Sequence, residues 1–249
     1  MQLNIIYEDN DILICFKPAG IATQTAKLSG QDIVSLIKNY LAKKNNIKNP
    51  YVGVIHRLDQ PVSGLLVFAK NQKTAGVLSK QIQDGDANKD YIALCTGILE
   101  KKRGILVHYI MKDTSTKLAK VLSEDEYNTV NKENYEVQNI GFKTNIYKKA
   151  ILSYEVVKEF GDCSLINVHL QTGRFHQIRA QFSYIGHPLL GDVKYGTKNS
   201  KEVAIKHGIR MVALCANELV LEHPVSREKM CFVLPKEKIP REMRSWNED

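Results

Sequence analysis

The chain has 249 residues and a formal net charge of +8, from 35 Lys and Arg against 27 Asp and Glu. Its composition, 43% hydrophobic and 25% charged, is ordinary for a globular protein, and no apolar run approaches the ~18–20 residues of a membrane helix. The N-terminus lacks the basic stretch of a secretion signal. We therefore expect a cytoplasmic protein without a membrane span, whose charge attracts polyanions such as RNA, DNA or an acidic membrane surface.

The first 95 residues contain five predicted units. In order, these are two short strands over 3–16, a helix over 31–44, a strand–turn–strand unit over 53–70, a helix from the N-cap Asn71 to about Gln83, and a strand over 89–95. The helices follow from apolar residues at helical spacing, and the strands from short apolar runs bounded by turn residues. The strand that ends at residue 69 is apolar on both faces, which predicts a central position in a sheet.

Residues 112–150 form a polar, lysine-rich middle. It carries seven Lys against six Asp and Glu, so we interpret it as a solvated excursion and not as a basic nucleic-acid tail. Strands near 150–158 and 163–170, a helix over 174–185 and strands within 211–234 follow. With no linker or repeat to divide it, we expect residues 1–249 to form a single domain of the α+β class, built on a mixed, mainly antiparallel sheet.

Cysteine and histidine spacing gives no metal or disulfide signal. The five cysteines are odd in number and never form a CxxC pair, so we expect buried, reduced thiols instead of a disulfide framework or a zinc site. The seven histidines show no metal-site spacing. Phosphate-loop, dinucleotide, zinc-protease and serine-hydrolase motifs are also absent from the sequence. Any chemistry must then come from carboxylate, arginine and tyrosine side chains without a metal.

Residues 56–64 combine a carboxylate with turn-forming residues. Pro61 and Gly64 favour a sharp turn, so Asp59 lies at a strand end where its side chain can reach a cleft. In an extended segment Arg57 and Asp59 share one face, which places a cation beside the carboxylate. An Asp at a strand end more often caps its own turn. This segment by itself therefore allows both a structural and a functional role.

Two other segments carry candidate side chains. On the helix predicted after residue 174, His176, Arg179 and Ser183 lie away from the apolar stripe. A helix N-terminus rich in Arg, His and Gln suits an anion or a base edge, although an ordinary solvated face is the common alternative. Tyr91, on the strand over 89–95, is either half-buried core or a stacking platform for a nucleobase.

Taken together, four stretches resemble the signatures of RluA-type pseudouridine synthases. They are Tyr7–Asp11 with Lys17–Gly20; His56–Asp59 with Ser63–Lys70; Lys89, Tyr91 and Ala93; and Gly173–Arg179 with Gly186–Asp192 and Tyr195–Gly196. The matches occur in the family's order and extend over nearly the whole chain. Four matches in order are far more specific than any one of them alone.

The resemblance implies an isomerase that converts uridine to pseudouridine in ribosomal or transfer RNA without a cofactor. The family's catalytic aspartate falls on Asp59 and its base-stacking tyrosine on Tyr91. The family's arginine that pairs with the catalytic carboxylate falls on Arg179, and Arg174 is the second choice for that role. If Arg174 does not pair with the carboxylate, it is a candidate for RNA binding. Arg57 matches the residue that helps to extrude the target nucleotide or occupies its place.

The remaining RNA-binding candidates are His56, His176 and Gln177. The resemblance also implies flanking helices, a central active-site cleft, and no membrane or obligate protein partner.

Many relatives read Arg-x-Thr-Ser-Gly after the aspartate, whereas Val62 here removes a hydroxyl and predicts altered substrate contacts. Many also begin with an S4-type RNA-binding domain. Because the signature begins here at residue 3, we expect the catalytic domain itself to select the RNA.

Two alternatives stay open beside the isomerase. A catalytically inactive RNA-binding relative of the same fold would not need the pair of Asp59 and Arg179. A carboxylate-dependent hydrolase acting on a nucleoside or sugar would need a second acid/base carboxylate.

For the isomerase, three routes fit one carboxylate: attack at C1′, addition to the uracil ring, or removal of the proton next to C1′. A carboxylate in a partly dry cleft needs a nearby cation to stay ionised.

Overall fold

A computed structural model describes residues 2–25, 31–137 and 146–244 of the chain. Its strands, in chain order, are β1 (Asn4–Glu8), β2 (Ile12–Lys17), β3 (Gly53–Val54), β4 (Ser63–Ala69), β5 (Asn88–Thr96), β6 (Arg103–Lys112), β7 (Ala119–Leu122), β8 (Lys148–Glu159), β9 (Cys163–Leu170), β10 (Leu214–Glu222) and β11 (Lys229–Val233). Its helices are α1 (Ile33–Asn45), α2 (Gln72–Asp84), α3 (Glu124–Val137), α4 (Gln177–Tyr184), α5 (Lys198–Lys206) and α6 (Arg241–Arg244).

The chain divides into two compact units. The first comprises residues 1–92 and 211–249, and the second comprises residues 93–210. Strand β5 begins in the first unit and ends in the second. The description of residues 1–249 as one domain stays a prediction. Of the polar excursion over 112–150, residues 138–145 lie outside the described part of the chain.

The first unit is built on the strand order β1-β2-β4-β10. Antiparallel pairing joins β1 to β2, β2 to β4, β3 to β4 and β10 to β11, while β4 and β10 run parallel. Every residue of β4 is buried, as expected for a central strand apolar on both faces. The sheet therefore holds the start of β4 in a fixed place, directly after the segment that carries Asp59.

The second unit is an antiparallel sheet in the order β9-β8-β6-β7. Helix α4 packs on β6 and β7. Ala180 from this helix joins Ile110, Ala119 and Ala150 in one buried cluster, with Phe175 packed against it. Small side chains at this contact let the helix approach the sheet closely. Together the two units confirm the predicted α+β class with a mainly antiparallel mixed sheet.

The predicted helices of the first unit are confirmed by their caps. Asn71 caps α2 by accepting a hydrogen bond from the backbone N–H of Thr74 at 2.9 Å, and Asp32 caps α1 in the same way through Ser35.

In the described residues no helix is both long and apolar enough to cross a membrane. Four cysteines are buried as expected, but Cys231 is exposed, because it shares a face of β11 with the exposed Lys229 and Val233.

Candidate active site

The turn that carries Asp59 is held on both sides by the loop after β2. Its own closing bond runs from the Val62 N–H to the Asp59 carbonyl at 3.1 Å. On one side, the Thr23 hydroxyl accepts from the Leu58 N–H at 3.2 Å and donates to the Leu58 carbonyl at 3.0 Å. On the other, the backbone N–H of Gly20 donates to the Gln60 carbonyl at 2.8 Å. The position of the Asp59 backbone is therefore fixed by bonds that do not involve its carboxylate.

Lys17 lies fully buried at the end of β2, below this turn. Its ammonium donates to the carbonyls of Pro18, Ile21 and Gln60 at 3.2, 2.8 and 3.1 Å. Burial lowers the pKa of Lys17 to about 8, and the negative charge of Asp59 opposes that shift. The buried ammonium thus lies within electrostatic reach of the Asp59 carboxylate. Sequence reasoning gave Lys17 no role, although a lysine that ends an apolar strand is a visible signal.

We expect Lys17 to make stability depend on pH in alkaline solution. The folded state loses the Lys17 proton at about pH 8, while an unfolded lysine keeps it to about pH 10.4. Between these values the unfolded state binds more protons, so the free energy of unfolding rises with pH by up to about 1.4 kcal/mol per unit. Urea unfolding near pH 7 and near pH 10, on wild type and Lys17→Met, measures this contribution.

The expected result is that wild type gains stability relative to Lys17→Met as the pH rises. Lys38→Met, which removes an exposed lysine of α1, is the matched control and should track wild type at both values. A stability difference between wild type and Lys17→Met that is equal at both pH values would contradict the predicted titration.

Tyr91 is 6% exposed on β5. Burial raises its pKa, and the charge of Asp59 raises it further. The phenol therefore stays protonated at neutral pH and lies within electrostatic reach of the carboxylate. Within the first unit, the structure brings Asp59, Tyr91 and Lys17 into one electrostatic group.

The two side chains before Leu58 differ in exposure. The Nε2 atom of His56 accepts a hydrogen bond from the Val67 N–H at 3.3 Å. Burial, followed by the charge of Lys89, lowers the pKa of His56 to about 3, so the ring is neutral. Arg57 is exposed. Val62, at which the sequence departs from the expected family pattern, is 2% exposed and so lies in the core.

In the second unit the segment before α4 differs from its prediction. The helix begins at Gln177 and not at residue 174, because His176 has φ 53°, in the left-handed region. Gln177 is buried, and its carboxamide accepts from the Thr172 hydroxyl and the Arg174 N–H and donates to the Ile151 carbonyl, at 2.8, 2.9 and 3.1 Å. Its hydrogen bonds therefore stay within the protein.

Arg179, predicted to lie away from the apolar stripe of the helix, is 2% exposed. Its Nε and Nη2 atoms donate to the two carboxylate oxygens of Asp192 at 2.7 and 2.8 Å. Burial raises the pKa of Asp192, but the bonds from Arg179 and two backbone N–H groups outweigh it, and the pKa lies below its ordinary value. The guanidinium is thus held in one orientation by an ionised partner.

Arg174, the second choice for the carboxylate's partner, has a different environment. It is partly exposed, and its Nε donates to the Lys149 carbonyl at 2.8 Å. The backbone of β8 therefore orients this side chain, whereas a buried carboxylate orients Arg179. Of the two arginines, Arg179 has the more rigid setting for catalysis.

Two groups among the described residues could hold a metal ion: Asp162 with Cys163 and His207, and Asp9 with Asp11 and His223. Both have internal hydrogen bonds. Asp162 accepts from His207 at 2.9 Å and also binds Lys206, and burial raises the pKa of the Cys163 thiol to about 12. Asp9 accepts from His223 at 2.9 Å. Internal bonds account for the polar atoms of both groups.

Comparisons with known proteins identify the family of the chain. A family model described as RNA pseudouridylate synthase matches residues 11–184. The chain is 31% identical to an uncharacterized RNA pseudouridine synthase of Aquifex aeolicus over 100% of this chain and 74% of the relative. It is 31% identical to ribosomal large subunit pseudouridine synthase D of Pasteurella multocida (94% and 68%) and 29% identical to tRNA pseudouridine synthase C of Haemophilus ducreyi (92% and 89%).

Solved structures share the fold. That of human RNA pseudouridylate synthase domain containing 4 superposes with a TM-score of 0.71 at 20% identity, and the match covers 96% of this chain and 90% of that one. A second human protein, RNA pseudouridylate synthase domain containing 1, gives 0.68 at 22% identity, with 94% and 83% covered. At these identities the likeness establishes the fold alone.

Proposed function

Because this chain belongs to the RNA pseudouridylate synthase family, whose members isomerise uridine to pseudouridine in RNA, we propose that Asp59 is the carboxylate on which its own isomerisation depends. The single observation that carries the assignment is the setting of Asp59. Its turn is fixed through hydrogen bonds to both sequence neighbours, Leu58 and Gln60. Its negative charge raises the pKa values of the buried Lys17 ammonium and the buried Tyr91 phenol. A carboxylate held in this way is ready to act at a bound nucleotide.

The reaction explains why these residue types suffice. The N1–C1′ bond of uridine breaks, the uracil turns, and C5 bonds to C1′; C5 loses a proton and N1 gains one. Substrate and product are isomers, so no oxidant, reductant or energy source is consumed. One carboxylate supports the step at C1′, at the ring or at the adjacent proton. Lys17 and Arg179 are the cations that we assign to this carboxylate.

Arg179 enters this proposal as the guanidinium that pairs with Asp59. Support comes from the match of residues 173–179 to the family signature and from the bidentate bond to Asp192, which holds the guanidinium in one orientation. We assign Gln177 to positioning, since its carboxamide bonds to Thr172 and Ile151.

The side chains proposed to contact RNA are Arg57, Arg174 and His176, which are exposed or partly exposed. His56 is also assigned to this group, as a neutral ring bonded to the Val67 backbone. Extruding the target nucleotide costs a few kcal/mol, and stacking on an aromatic ring offsets part of that cost. Tyr91 is the ring we assign to that contact. The relatives' names support ribosomal or transfer RNA as substrate. From that substrate we infer a cytoplasmic enzyme.

Tritium release tests the function directly. In RNA that carries [5-³H]uridine, the C5 hydrogen leaves as a proton when C5 bonds to C1′, so pseudouridine formation releases tritium to water. We expect release from ribosomal or transfer RNA with purified protein alone. Binding without release would identify an inactive RNA-binding relative. Free uracil among the products would identify a hydrolase.

Substitutions at Tyr91 are expected to separate the ring from its hydroxyl. Tyr91→Phe should keep the stacking surface, bind RNA normally and lose only hydroxyl-dependent steps, whereas Tyr91→Ala should lower kcat/KM by roughly ten- to a hundredfold, on the basis of 1–3 kcal/mol per stacked base. The measurement is tritium release as a function of RNA concentration. An alanine variant as active as wild type would remove the platform role from Tyr91.

A further inference from the structure

The turn that follows Asp192 encloses its carboxylate and ends at Tyr195. The Oδ1 atom of Asp192 accepts from the backbone N–H groups of Lys194 and Tyr195 at 2.9 and 3.2 Å. The Gly196 N–H donates to the Asp192 carbonyl at 2.9 Å, and a Cβ at position 196 would lie 2.3 Å from that oxygen. Only glycine fits there, so the turn has one shape. That shape brings the Tyr195 ring to Arg179.

Tyr195 makes four contacts, with residues of α4, with the residue before that helix and with the start of β7. Its ring centroid lies 5.2 Å from the Arg179 Cζ, within cation–π range. Its carbonyl accepts from the Ser183 hydroxyl at 2.9 Å. Its own hydroxyl accepts from the Ala119 N–H at 2.7 Å and lies 2.7 Å from the His176 Nδ1. One side chain thus links the start of β7, the left-handed residue before α4, and the guanidinium of α4.

We propose that Tyr195 is a positioning residue for the reaction, holding Arg179 through its ring and orienting His176 through its hydroxyl. The inference rests on the function proposed above. Asp192 binds two nitrogens of the guanidinium, and the Tyr195 ring lies against its Cζ atom and limits its movement. Removal of the ring leaves the Asp192 bonds in place but gives Arg179 more freedom to move.

The hydroxyl bond also bears on which ring nitrogen of His176 carries the proton. A backbone N–H can only donate, so the bond from Ala119 occupies one of the two lone pairs of the Tyr195 oxygen. We assign the hydroxyl proton to the 2.7 Å bond with the His176 Nδ1, which makes Nδ1 an acceptor and places the ring proton on Nε2. In this tautomer Nε2 is an N–H donor, a kind of group that binds phosphate or carbonyl oxygens of RNA.

Kinetics of two variants test the positioning role. We expect Tyr195→Phe to lower kcat on the order of tenfold and Tyr195→Leu to lower it further, with KM little changed. In a His176→Ala background, Tyr195→Phe should have no further effect, because the hydroxyl acts through that ring. Tyr184→Phe is the matched control. It removes another hydroxyl of the same unit, which donates to Glu126 at 2.6 Å, and should leave kcat unchanged.

A purely structural Tyr195 would give a different pattern. Its variants would lower the melting temperature without changing kcat, or would lower kcat equally with and without His176; either result overturns the proposal.

The tautomer is tested without any reaction, by the ¹⁵N chemical shifts of the His176 ring in wild type and Tyr195→Phe. We expect an Nε2–H tautomer in wild type and a mixture in the variant, and a proton on Nδ1 in wild type would overturn the assignment. An enzyme that releases no tritium would refute the proposed function, while the ¹⁵N result would still decide the role of the hydroxyl.

Discussion

Asp59→Asn is expected to abolish turnover, by roughly a thousandfold or more, while the protein stays folded and binds RNA. Asparagine has nearly the shape of aspartate but can neither attack carbon nor accept a proton at neutral pH. The turn should keep its conformation, because its closing bond uses the backbone of Asp59 and its anchors belong to Leu58 and Gln60. The loss should therefore appear in kcat and not in affinity.

Three measurements on one preparation check this expectation: tritium release, RNA binding and thermal unfolding. Asp86→Asn, at an exposed position after α2, makes the same chemical change away from the turn and should be as active as wild type. If Asp59→Asn released tritium at a comparable rate, the carboxylate would not be essential and the assignment would be wrong. A variant that lost RNA affinity and stability together would point to a structural role instead.

The elements predicted correctly are those whose signal is local. Asn71 sits one residue before an apolar helical repeat, and it is the cap of α2. The turn over residues 9–11 and the strand over 163–170 follow from short-range alternation and turn chemistry. In each case the side chains that determine the element are neighbours in sequence. Five described elements, β6, β7, α3, α5 and α6, were not predicted, since residues 97–137, 198–206 and 241–244 gave no comparably clear pattern.

The candidate site shows the limit of such signals. The motif around Asp59 could be recognised from sequence, but the role of Lys17 depends on carbonyls of Pro18, Ile21 and Gln60 that converge only after folding. Periodicity also placed Arg179 away from the apolar stripe of its helix. In the fold its side chain is nevertheless buried, because Asp192, thirteen residues further on, supplies the compensating charge. A long-range ion pair of this kind cannot be read from helical spacing.

Gly64→Ala is expected to prevent stable folding of the first unit. Gly64 has φ +132°, and a Cβ there would lie 2.4 and 2.5 Å from the backbone N and O of Ala216. These atoms belong to the parallel pairing of β4 with β10, so relief of the clash would require the two strands to separate. A buried overlap with backbone, added to an unfavourable φ, should cost on the order of 4 kcal/mol or more, a large part of the stability of a typical domain.

The matched control is Gly76→Ala, in the middle of α2, where an added Cβ would meet nothing within 4 Å. Alanine is the better helix former, so this variant should gain up to about 1 kcal/mol. Soluble yield and urea unfolding compare the two variants, and they should move in opposite directions. A folded Gly64→Ala protein with wild-type stability would show that β4 and β10 are not packed as closely as described. The segment carrying Asp59 would then lack the rigid strand on which its orientation depends.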